Sequence, residues 1–146
     1  MRLWHKDLIP VLPRQQLLGQ WRECCLIARG LFNDNLNHLL VNPVKYYPIT
    51  HFAKYCDEVR YEMLRRGYAV KTVINFYFGD LPVHKPTHDE LFKNWHNERY
   101  FWQCYFNLQE KYDRGGISPV EWDKVECYRN SQLKFFIKPL DNSSNV

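Results

Sequence analysis

The sequence predicts an all-α protein, a single domain of about four helices with an extended N-terminal arm packed against the first two. Three observations predict this class. Apolar residues recur at helical spacing in separate stretches, two capping boxes mark helix starts, and no repeat or linker divides the 146 residues. The hydrophobic fraction of 45% supports one core and excludes global disorder.

The N-terminal arm, residues 1–12, is predicted to be irregular or extended because Pro10 and Pro13 oppose an early helix. The first helix is predicted over residues 14–29, with Gly30 as its stop. Its polar flank contains Gln16, Gln20 and Glu23. Its apolar stripe is Leu17, Leu18, Trp21, Cys24, Cys25 and Ala28.

The second helix is predicted to begin at Pro48, because proline is favoured at the first helical position, and to end at Gly67. Its apolar stripe is Ile49, Phe52, Cys56, Val59 and Met63. The following segment, "VKTVINFYFGDLPVHKP", has local β propensity but no partner strand, so it is interpreted as a packed loop.

Two capping boxes introduce the last two helices. "THDE", with Thr87 and Glu90, predicts a helix that runs to the glycine pair at residues 115–116. "SPVE" at residues 118–121 predicts a short helix through about Arg129. The domain is therefore predicted to span residues 1–140, with residues 141–146 as a C-terminal tail.

Composition and charge indicate the kind of partner and the cellular compartment. The net charge of +4 favours an anionic partner. No apolar run approaches the roughly 18 residues of a membrane helix, and the N-terminus lacks the apolar core of a signal peptide. The five cysteines form no C-x-x-C motif, and their odd number indicates reduced thiols and a cytoplasmic protein.

Motifs for metal or cofactor binding are lacking. His84 and His88 have the spacing of metal ligands, but Pro86 and the capping box separate them into different elements. The sequence contains no H-E-x-x-H, no glycine-rich phosphate loop and no G-x-S-x-G. We therefore expect no metal and no cofactor.

Charged pairs have two interpretations each when taken from the residues alone. Arg22 and Glu23 are adjacent on the polar flank of the first helix, where such pairs are usually solvated. Arg65 and Arg66 either bind phosphate or complement the C-terminal dipole of the second helix.

Two segments resemble the pyrimidine-dimer DNA glycosylase family, the phage endonuclease V-like enzymes. In "QQLLGQWREC", Gln15, Leu17, Trp21, Arg22 and Glu23 stand at the family's positions, at the family's distance from the chain start. "MLRRGYAV", at the end of the second helix, is similar to a second family segment. The C-terminal half is similar only in being helical and rich in aromatic residues.

The resemblance implies a DNA-repair glycosylase with abasic-site lyase activity that needs no metal. The implied nucleophile is the α-amine of Met1, which attacks deoxyribose C1′, and Glu23 is its catalytic partner. The substrate would be a damaged or modified nucleotide, such as a pyrimidine dimer, in double-stranded DNA bound by a monomer. The predicted DNA-binding residues are Arg2, Arg14, Gln15, Arg22, Arg65 and Arg66.

The sequence also departs from the family. Arg2 is too large for methionine aminopeptidase, so we expect Met1 to remain, which sets the amine one residue further from Glu23. Leu3 and Leu26 stand where the family has basic residues, so the resemblance does not predict which lesion or modified base is recognised.

Two alternatives to catalysis also remain open. One is a helical domain that binds nucleic acid without catalysis, and the other is a protein-interaction domain that uses the aromatic residues around Tyr100.

Overall fold

The computed structural model describes residues 1–82 and 84–136. These contain four α-helices: α1, Arg14–Phe32; α2, Ile49–Arg65; α3, Glu98–Asp113; and α4, Pro119–Phe136. Short 3-10 helices occupy Lys6–Val11, Asn42–Tyr46 and Asn75–Phe78. No strand occurs in the described ranges, and the predicted all-α class is confirmed. The end of the predicted domain, residues 137–140, and the predicted tail, residues 141–146, lie outside them.

The arm is more ordered than predicted. The expectation of an irregular or extended segment is wrong for Lys6–Val11, a 3-10 helix that contains Pro10. Proline is tolerated there because its φ suits a 3-10 turn, while the Leu8 and Leu12 amides donate to the carbonyls three residues earlier. This helix packs against α2 and α4, so the arm lies inside the domain.

Helix α1 runs beyond its predicted end. Gly30 is a buried residue within the helix, and a Cβ there would lie 3.3 Å from the Cβ of Leu36. The glycine therefore serves the close approach of the returning chain and does not end the helix. The prediction that Gln20 belongs to the polar flank is also wrong, because its side chain is buried.

Helix α2 follows its prediction closely. Pro48 is the N-cap, and Gly67 follows the helix with φ +83°, a left-handed conformation that ends helices and favours glycine. Of the predicted stripe, Phe52, Cys56, Val59 and Met63 are buried, whereas the prediction for Ile49 is wrong, because it lies exposed in the first turn. The next segment is a loop with one short 3-10 helix, as expected.

The start of α3 differs from its prediction. The capping box at Thr87 and Glu90 forms both of its backbone hydrogen bonds, but the chain turns irregularly after it. Phe92 and Asn94 have positive φ, and α3 begins at Glu98. The backbone amide of the fully buried Phe92 donates to Nδ1 of His51 on α2. This tertiary contact prevents the helix from starting at the capping box.

Helix α4 is longer than predicted. Its capping box is present, since the Ser118 hydroxyl accepts from the Glu121 amide at 3.2 Å. The helix passes the predicted end at Arg129 and reaches Phe136, because no glycine or proline interrupts residues 130–136.

The described part of the chain has one hydrophobic core, and the arm contributes Leu3, Trp4, Leu8, Ile9 and Leu12 to it. Cys24, Cys56 and Cys104 are also buried in this core as free thiols, as expected for packing residues. Among the described helices, none has the length and apolar character needed to cross a membrane.

Candidate active site

The start of the chain lies beside the first helix. The α-amine of Met1 is 4.0 Å from Oε1 of Glu23, and both side chains are partly open to solvent. The structure therefore brings together the two groups that the resemblance implies to be catalytic.

Backbone hydrogen bonds hold the arm in this position. The Trp4 amide donates to Oε1 of Gln20 at 2.7 Å, and the Tyr55 hydroxyl lies 2.6 Å from the Trp4 carbonyl oxygen. The Tyr100 hydroxyl donates to the Leu3 carbonyl. Side chains of α1, α2 and α3 thus fix residues 3 and 4, so the amine is within two residues of an anchored backbone.

The two oxygens of Glu23 have different partners. Oε2 accepts from the Arg2 amide at 3.4 Å and from Nε2 of Gln20 at 3.2 Å. Oε1 is the oxygen that faces the amine. A carboxylate held by one oxygen in this way can accept a proton at the other.

Neutral groups surround the anchored part of the arm. Burial raises the pKa of the Tyr55 and Tyr100 hydroxyls and of the Cys104 thiol, so all three stay protonated at neutral pH. The hydroxyls can therefore act as hydrogen-bond donors to the arm.

Two of the predicted DNA-binding cations lie next to the pair. Arg22 precedes Glu23 and is exposed, with its guanidinium lying back over Gly19. Arg2 follows Met1, and its guanidinium lies 5.3 Å from the ring centre of Trp4. The phosphate-binding role of both residues remains a prediction.

The other predicted DNA-binding residues surround the start of α1, about 13 Å along the helix from Glu23. Arg14 is exposed and lies over the ring of Tyr68, and Gln15 lines a cavity of about 700 Å³ formed with the α3–α4 turn. The structure therefore separates these residues from the amine by more than two helical turns.

Arg65 and Arg66 have partners inside the protein. Both form ion pairs with the buried Glu62. Arg66 also donates to the carbonyl oxygens of Leu12 and Pro10, so it fastens the end of the arm to α2. Arg65 is the more exposed of the two, and the DNA-binding role of both remains a prediction.

Gln20 and Arg29 were not among the site residues predicted from the sequence. Gln20 links Glu23 to the arm, and its only signal was a position three residues before Glu23 on the same helix. Arg29 is exposed in the last turn of α1. Its spacing of seven residues from Arg22, which places both on one helix face, would have been the signal.

The model of the family described as pyrimidine dimer DNA glycosylase matches residues 1–75, which include the arm, α1 and α2, and the chain belongs to this family. Its substrate is therefore DNA. The comparisons with curated proteins and with solved structures gave no match.

Proposed function

We propose that this protein removes a damaged base and then cleaves the strand, with the α-amine of Met1 as nucleophile. The observation that carries the proposal is the distance of 4.0 Å between that amine and Oε1 of Glu23, in a member of this family. An α-amine suits the role because more of it is uncharged at neutral pH than of an exposed lysine.

The first step forms one bond and breaks another. The amine lone pair attacks deoxyribose C1′, the glycosidic bond breaks, and its electron pair leaves with the base, which takes up a proton. The nitrogen then gives up one of its two protons, its lone pair forms the double bond to C1′ as the C1′–O4′ bond breaks, O4′ takes up a proton, and the cationic imine that results keeps one N–H. Glu23 stabilises this positive charge from the adjacent position.

The second step cleaves the strand. Glu23 accepts the proton from C2′ through Oε1, and the C3′–oxygen bond breaks by β-elimination, releasing the strand that carries the phosphate. Water then hydrolyses the imine and restores the amine. Arg22 and Arg2 bind phosphates beside the reacting nucleotide, and Arg14, Gln15, Arg65 and Arg66 contact the duplex further along.

The test is reduction with borohydride in the presence of two duplexes, one with a cyclobutane pyrimidine dimer and one with an abasic site. We expect a covalent adduct with both. Glu23→Gln keeps the size of the side chain but removes the base, so it should lower strand cleavage by about 10²- to 10⁴-fold.

Arg114→Ala is the control, because that side chain is exposed and, among the residues that the structure describes, its ion pair is with Glu110 at the end of α3. It should cleave at the wild-type rate. Salt-sensitive binding of both duplexes without any adduct would overturn the proposal in favour of a DNA-binding domain without catalysis. An adduct with the abasic duplex alone would support the lyase activity and would show that the pyrimidine dimer is not the base lesion that the protein removes.

A further inference from the structure

Gln20 is a buried polar residue at the centre of the site. Its side chain is only 1% exposed, and it lies on α1 three residues before Glu23. A buried amide that leaves its donors or acceptor unmade is destabilising, so its partners indicate what the residue is there to hold.

Three of the four hydrogen-bonding positions of this amide have their own partners, and the fourth lies beside the Tyr55 hydroxyl, whose single proton it shares with the Trp4 carbonyl oxygen. Its oxygen accepts from the Trp4 amide at 2.7 Å and lies 2.9 Å from the Tyr55 hydroxyl. Its nitrogen donates to the Arg2 carbonyl at 3.0 Å and to Oε2 of Glu23 at 3.2 Å. One planar group therefore contacts the arm on both sides of Leu3 and also contacts the carboxylate.

The nitrogen end of Gln20 decides which oxygen of Glu23 meets the amine. Because Oε2 is occupied by Gln20 and by the Arg2 amide, Oε1 is turned towards Met1. The same NH₂ group holds the Arg2 carbonyl, one residue from the amine. Gln20 is thus the side chain that contacts both the backbone next to the nucleophile and the carboxylate.

We infer that Gln20 is the positioning residue of the reaction, which sets the amine against Oε1 of Glu23 by holding both. This inference rests on the proposed function. A misplacement of about 1 Å between reacting groups lowers a rate by about 10²-fold, so its loss should affect catalysis more than binding.

Two variants separate positioning from packing. Gln20→Leu keeps the approximate volume and removes every hydrogen bond of the amide. Tyr55→Phe removes the hydroxyl beside Oε1 of Gln20 and the Trp4 carbonyl oxygen, so it takes one anchor from the arm, but it leaves both donations from Nε2, to Arg2 and to Glu23. Both variants disturb a buried polar network, so a structural role alone would affect them alike.

The first measurement is the single-turnover rate of imine trapping on a duplex with one abasic site, per folded molecule, together with the affinity for that duplex. We expect Gln20→Leu to lower the rate at saturating DNA by about 10²-fold with little change in affinity, and Tyr55→Phe to lower it by less than about 10-fold. Equal losses in the two variants, or an unchanged rate in Gln20→Leu, would overturn the inference.

The second measurement does not depend on activity. Hydrogen exchange of the arm in the free protein should be at least about 10-fold faster at the Arg2 and Trp4 amides in Gln20→Leu than in Tyr55→Phe. If the wild-type protein traps no DNA, the proposed function fails, and exchange alone then decides whether Gln20 holds the arm. Wild-type exchange rates at the arm amides in Gln20→Leu would refute the inference that Gln20 holds the arm.

Discussion

At the scale of single residues, His88 ties the N-terminal arm to α2. Its Nε2 lies 2.7 Å from Oδ1 of Asp7, and its Nδ1 lies 2.8 and 2.9 Å from the two oxygens of Glu58. The hydrogen bonds to Asp7 and Glu58 raise the pKa of His88 to about 9. Burial alone would raise the pKa of Asp7, but the bond from His88 and nearby positive charge hold it below its usual value. The charged ring therefore bridges two carboxylates.

This bridge makes stability depend on pH. The pKa of His88 is higher in the folded protein, about 9, than its usual 6.5, so its contribution is fully present below pH 6.5 and is lost as the pH rises to about 9. We expect His88→Gln to lower the free energy of unfolding by roughly 1–2 kcal/mol at about pH 6, after allowance for the partly exposed ring, and by less at about pH 9.5.

Denaturant unfolding of the two proteins across this range measures the difference. His84→Gln is the control, because His84 is exposed in the same segment, and its stability profile should follow that of the wild type. A His88→Gln deficit that stays constant from pH 6.5 to 9 would contradict the bridge.

At the scale of elements, α1 has two faces with different tasks. One face buries Leu17, Cys24 and Ile27 in the core. The opposite face exposes Arg22 and Arg29, which are seven residues apart and therefore about 10.5 Å apart along the axis. Within the described residues neither guanidinium forms an ion pair. Such cations are available to phosphates.

This face should contribute to the salt dependence of DNA binding. We expect Arg22→Ala and Arg29→Ala each to weaken binding of a duplex with a non-cleavable abasic analogue and to reduce the slope of log K against log salt by about 0.9. Lys85→Ala is the control, because Lys85 does not lie on α1 and forms an ion pair with Asp57 of α2. Slopes unchanged in both arginine variants would show that DNA binds elsewhere.

The sequence predicted the helices better than their limits. Helical periodicity and capping residues identified α1, α2 and α4, because these signals are local. The ends of α1 and α4 and the start of α3 were wrong. Gly30 was predicted as a stop, but it permits the approach of Leu36, six residues further on. The start of α3 depends on a contact between residues distant in sequence, since the Phe92 amide donates to His51, and no local pattern contains such information.

At the scale of the whole molecule, the candidate site exists because the arm is folded into the domain. The arm was predicted to pack against the first two helices, but its hydrogen bonds also reach Tyr100 of α3 and the backbone near His88. The resemblance supplied Met1 and Glu23 as a pair. Gln20 was beyond prediction, because a polar residue in mid-helix is usually solvated, whereas here the returning arm and Tyr55 of α2 contact its amide.

The most direct measurement locates the covalent bond. The borohydride-reduced complex with a duplex containing an abasic site would be digested, and the modified peptide sequenced by mass spectrometry, with the intact N-terminus of the free protein determined alongside. We expect the sugar remnant on the α-amine of Met1, and no adduct after selective acylation of that amine. A remnant on a lysine side chain, or an adduct that persists after the acylation, would contradict the assignment of the chain's own terminus as nucleophile.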